Sequence, residues 1–140
     1  MIFGENRDEL RAMYADAWQA RKNNRVLSPL QAQIADVIEQ HPEYQSLLEN
    51  RQLDKDFTPE HGQSNPFLHM GLHLAITDQV KTDRPSGIRH EYQRLLKLSG
   101  DAHSAEHRIL ECLGQALWEA QRAGKPPDEQ RYLEQIKRLS

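Results

Sequence analysis

Every apolar stretch of this chain recurs at intervals of three and four residues, and none alternates at two. That single property constrains the fold most. In the first segment Leu10, Met13, Tyr14, Ala17, Trp18 and Arg21 trace one stripe of an amphipathic helix. Asn6 or Asp8 can cap its start, and Asn23-Asn24 is a natural stop. Ser28, Pro29 and Gln31 form a capping-box start for a second helix, whose stripe is Leu30, Ile34, Val37, Ile38 and His41. Pro42 ends it, and residues 42–50 form a short third helix with Tyr44, Leu47 and Leu48.

Residues 54–64 break the pattern with Pro59, Gly62 and little apolar content, so they read as a loop. Beyond it, Asn65-Pro66 opens a fourth helix that runs to about Lys81. A fifth spans roughly Ser86 to Ser99 with Ile88, Tyr92, Leu95 and Leu96 on one face, and Gly100 closes it. Asp101 caps the sixth and longest, which stops at Gly124. Pro126-Pro127-Asp128 opens a last helix with Tyr132, Leu133, Ile136 and Leu139 in line. The expected fold is all-α: a single-domain helical bundle of six to seven helices. An N-terminal helical hairpin (1–53) and a loop (54–64) would precede a histidine-bearing four-helix unit (65–140).

Composition narrows the function classes. The 140 residues are 37% hydrophobic and 28% charged with a net charge of -3, which suits a folded domain rather than a disordered chain. Neither half has the strongly basic surface of a nucleic-acid binder, so no nucleic-acid partner is expected. No apolar run approaches the ~20 residues that cross a bilayer, and no signal peptide is visible. A cytoplasmic location without membrane contact follows as the expectation. The single cysteine, Cys112, offers neither a disulfide nor a multi-thiolate site, and reads as a packing or surface residue. There is no Gly-rich phosphate loop and no nucleotide cofactor is expected.

The seven histidines are the unusual element. His69 and His73 stand at i, i+4 on the fourth helix, and His103 and His107 do so on the sixth. Each pair points from one face, so two imidazoles can converge on one ion. If helices four to six run up, down and up, the two pairs sit within about 3 Å of the same height, counted from their caps. Glu106 adds an acid: on a wheel with His103 at zero it falls at about 300°, among Leu113, Leu117 and Leu110 at about 280°, 320° and 340°. A carboxylate on an apolar arc needs a partner, which a metal ion, Arg89 or a histidine would supply.

The expected site is therefore His69, His73, His103 and His107 around a divalent transition metal (zinc, iron or nickel, with copper also suited to imidazole), with Glu106 as ligand, supporting acid or general base. His103-Ser104-Ala105-Glu106-His107 also matches H-x-x-E-H, the pattern of one class of zinc peptidases, which raises metal-dependent hydrolysis. The ferritin-like Glu-x-x-His pattern is absent, because no histidine has an acid three residues earlier. Glu111 continues the i, i+4, i+8 series but falls away from the apolar arc, and His61 is at most a loop ligand. His41, His61 and His90 read as surface or capping residues.

The competing reading is a metal-free interaction module. In it the histidines and Glu106 form a polar network, and the fourth helix, apolar nearly all round, is covered by a protein partner or a second copy.

The chain also resembles a small bacterial family of helical proteins, the domain-of-unknown-function family 1841. The resemblance is carried by Asn65-Pro66-Phe67-Leu68-His69, His73-Leu74-Ala75-Ile76, Asp83-Arg84-Pro85 with Gly87-Ile88-Arg89, and His103 with Glu106-His107. Leu117-Trp118-Glu119-Ala120-Gln121-Arg122 and Pro127-Asp128-Glu129 with Tyr132-Leu133 complete it. It implies a cytosolic bacterial protein and brings no assigned activity.

Overall fold

The computed structural model describes residues 7–51, 53 and 65–140. The expected cap Asn6, the loop 54–64 and His61 lie outside the described residues. Among those described, seven helices and no strand are present: α1 (Arg7–Lys22), α2 (Pro29–Glu39), α3 (Pro42–Glu49), α4 (Pro66–Thr82), α5 (Ile88–Ser99), α6 (Ala102–Ala123) and α7 (Glu129–Lys137). The all-α expectation holds. The chain divides into two compact units, one ending at Gly71 and one spanning Leu72–Ser140, so the division falls inside α4.

In the first unit α1 packs on α2 and α3. Helix α1 stops where Asn24 takes a left-handed φ of 56° and the Arg25 amide donates back to the Ala20 carbonyl at 2.9 Å. Helix α2 starts on the complete capping box: the Gln31 amide donates to Ser28 Oγ at 3.2 Å, and the Ser28 amide donates to Gln31 Oε1 at 3.0 Å. The core is Tyr14, Ala15, Ala17, Trp18, Ala20, Ile34, Ala35, Val37, Ile38 and Leu48, joined by Phe67 and Met70 of α4's first turns. Not every expected stripe residue belongs to it. Met13 and Leu30 are exposed, while Arg11 is buried beneath the Phe67 ring and donates to the Leu53 carbonyl at 2.8 Å. A guanidinium whose stem packs on an aromatic face buries as readily as an apolar residue.

In the second unit α5 packs on α6, and α7 packs on both. The core is Ile76, Ile88, Leu95, Ala105, Ile109, Cys112, Leu113, Ala116, Tyr132, Leu133 and Ile136. Helix α5 begins two residues later than expected. The Asp83 carboxylate accepts from the Gly87 and Arg89 amides at 3.2 and 3.0 Å and so closes this start. Gly87 sits at φ 103°, a conformation that excludes a Cβ at low cost. Asp101 caps α6 through the Ser104 amide at 2.8 Å, and Asp128 caps α7 through the Arg131 amide at 3.0 Å.

Helix α6 turns a different face inward from the expected one. Ala105, Ile109, Cys112, Leu113 and Ala116 are buried, while Leu117 and Trp118 are exposed, with Arg122 stacked over the Trp118 ring. The small residues let helices approach closely and so define the buried arc. Cys112 is thereby a core residue, its thiol pushed up by burial and by the nearby Glu111 charge.

Past Pro66, the buried positions of α4 are Phe67, Met70, His73 and Ile76, three apart. Such spacing winds about 60° backward around the helix per step, so Phe67 and Ile76 face opposite sides. That is why its sequence looks apolar all round.

Candidate metal centre

Helix α4 starts where Asn65 Oδ1 accepts from the Phe67 and Leu68 amides at 3.0 and 3.2 Å. This fixes the rotation at which His69 and His73 leave the helix, one turn apart. His73 has no exposure at all, and His69 is half-buried.

In the second unit His73 meets the histidines of α6. Its ring centroid lies 4.8 Å from that of His107 and 5.2 Å from that of His103, and the His103 and His107 centroids are 4.3 Å apart. Three imidazoles bound to one zinc ion, at Zn–N of about 2.0–2.1 Å, would have centroids about 5 Å apart. The planes matter as much as the spacing, because a metal must lie in the plane of each ligand ring. His73 and His107 are inclined at 41°, whereas His73 and His103 are within 13° of parallel and stack. Nitrogens of His73 and His107 lie within 4.8 Å of each other. His103 would need to rotate about its side-chain torsions before sharing an ion with His73.

Glu106 sits at the edge of the buried arc with 14% of its side chain exposed, and its Oε1 is 3.3 Å from His73 Nδ1. A carboxylate oxygen accepts, so Nδ1 donates and Nε2 of a neutral His73 carries the lone pair. Tyr92 of α5, expected only as a core aromatic, lies near enough to feel this acid. Burial and then the Glu106 charge push its phenol up. Arg89, considered as a partner for Glu106, instead donates to the Val80 and Lys81 carbonyls at 3.0 and 2.6 Å and closes the end of α4. Glu111 and His90 are exposed.

In the first unit the expectation for His41 is overturned. It is 2% exposed and makes no side-chain cap bond to α3. Its Nδ1 donates to the Val37 carbonyl at 2.8 Å, its Nε2 lies 3.1 Å from His69 Nε2, and Tyr44 stacks on its ring at 5.2 Å. One signal was available in advance: His41 closes the apolar stripe Ile34, Val37, Ile38 and falls four residues after Val37.

A family model described as domain of unknown function (DUF1841) matches residues 6–138, nearly the whole chain. The chain belongs to that family. No curated protein and no solved structure matches it. Among the described residues no helix is long and apolar enough to cross a membrane. The histidines of α4 and α6 are candidate ligands by chemistry and spacing, and this DUF1841 chain presents them on well-capped helices.

Proposed function

We propose that this DUF1841 protein binds a divalent transition metal through imidazole nitrogens of α4 and α6. His73 and His107 supply the central pair, and His103 joins after rotating out of its stack. Glu106 orients His73. The observation that carries this reading is the bond from His73 Nδ1 to the Glu106 carboxylate. A carboxylate on the far nitrogen fixes the tautomer and raises the basicity of the ligating one, the arrangement that supports metal-bound histidines. An all-imidazole donor set suits zinc, nickel, copper or iron and offers little to magnesium or calcium, which take oxygen ligands.

Elemental analysis of the purified 140-residue chain tests the proposal. The expected result is about one equivalent of such a metal, retained or restored on adding zinc or nickel. Less than about a tenth of an equivalent, unchanged by added metal, overturns it.

One observation favours a second reading. His73 with Glu106, and His41 with His69, already satisfy one another as hydrogen-bonded pairs. A structural polar network would hold these contacts with no ion, and a chelator would then leave the melting temperature of the parent unchanged.

A further inference from the structure

His41 and His69 form a nitrogen pair that the proposal above leaves unused. Pro42 occupies the first position of α3 and needs no amide partner, and the His41 backbone (φ -129°, ψ 73°) serves as cap without help from its side chain. The ring turns inward instead. The Val37 carbonyl can only accept, so the 2.8 Å contact places a proton on His41 Nδ1 and the lone pair of the neutral ring on Nε2. Tyr44 lies parallel to the ring within 7° and holds its plane. His69 meets it at 78°, with centroids 4.9 Å apart and Nε2 atoms 3.1 Å apart. Two nitrogens on one tetrahedral zinc ion are separated by about 3.3 Å, so this gap already has the length of a ligand–ligand edge.

We propose that His41 is a metal ligand that acts with His69 through their Nε2 atoms, for a divalent ion of the zinc, nickel or copper class. It is independent of the His73–His107 proposal, which uses nitrogens of the second unit. It has the same chemical logic as the His73–Glu106 contact: an oxygen acceptor on Nδ1 directs Nε2 to the ion. Without metal, one proton bridges the gap, carried on His69 Nε2 and donated to His41 Nε2. When the ion enters, that proton moves to His69 Nδ1, so the protein's proton count is unchanged by this step while the His69 tautomer switches.

Zinc titration of the full chain, comparing the parent with His41→Gln and His107→Ala, tests this. Loss of at least about tenfold in zinc affinity in His41→Gln supports the inference. Parent affinity in His41→Gln together with weakened binding in His107→Ala overturns it and leaves the α4–α6 proposal standing. Weakened binding in His41→Gln alone supports the inference and removes the α4–α6 set. A parent that binds no zinc overturns both. Long-range ¹H–¹⁵N spectra of the parent decide the matter if His41→Gln does not fold. Added zinc should move both Nε2 resonances and switch His69 to the Nδ1–H form. An unmoved His41 Nε2 identifies a hydrogen-bonded pair only and overturns the inference.

Discussion

Glu106 Oε1 lies 3.3 Å from Nδ1 of His73, a histidine with no solvent exposure, and this contact decides which nitrogen of that ring can donate to a metal. Replacing Glu106 by alanine should therefore weaken metal binding by about 10–100-fold, the usual cost of removing a carboxylate that supports a ligand. Glu106→Gln should lose less, because its amide oxygen still accepts from Nδ1–H while the charge is gone. Competition with a chelator of known affinity ranks the three proteins. Equal affinities in parent and Glu106→Ala would show that the acid plays no part in the site.

Metal binding should appear as stability. An ion held at about 100 times its dissociation constant adds about 2.7 kcal/mol to the folded state if it does not bind the unfolded chain. For a chain of this length each kcal/mol is worth about 2–4 °C, so a chelator should lower Tm by about 5–10 °C. His107 is half-buried and tolerates truncation better than His73. In His107→Ala the chelator-induced shift should vanish. Differential scanning calorimetry with and without zinc reads both quantities, and an equal shift in parent and variant would exclude His107 as a ligand.

The sequence marked its helices at their ends, because capping is local chemistry. Ser28 with Gln31, Asn65, Asp101 and Asp128 all accept the amides their positions call for. Which face each helix buries was harder to see. A wheel weighted by large apolar residues pointed α6 toward Leu117, but Ala105, Cys112 and Ala116 set the buried face by allowing close approach. Histidine spacing within α4 and α6 was legible, and so was the carboxylate on the edge between them. His41 was not, because its partner is His69, 28 residues away. Asp83 escaped for a similar reason: it caps α5 from across a turn, four and six residues before its partners.

Arg94 ties the end of α7 to α5. Its guanidinium donates to the Leu139, Ile136 and Lys137 carbonyls at 2.7, 3.0 and 3.3 Å and to Glu91 Oε1 at 2.9 Å. The planar fork gathers three carbonyls at the helix end, and it carries positive charge to the negative end of the helix dipole. A lysine ammonium cannot span the same set. Arg94→Lys should cost about 1–3 kcal/mol and raise amide exchange in residues 136–139 more than in α5. Hydrogen-exchange mass spectrometry resolves this, and uniform exchange rates in the two proteins would remove Arg94 as the clasp.

Alkaline pH should destabilise the first unit through Tyr14. Its side chain is buried on α1, edge-on to Phe67 at 5.7 Å, and burial pushes the phenol from 10.0 up to about 12. A raised folded-state value means that the stabilising contribution is complete below pH 10. It then falls as the unfolded chain ionises first, and it is exhausted above pH 12. At pH 11 the loss amounts to about 1.4 kcal/mol relative to pH 8, on the order of one unit of differential ionisation. Tyr14→Phe keeps the ring against Phe67 and has no proton to lose, so this part of the decline should disappear in the variant. Urea denaturation of both proteins at pH 8, 10 and 11 measures it. A parallel decline would assign the alkaline loss to other groups, among them Tyr132 in the second unit, whose phenol burial also pushes up.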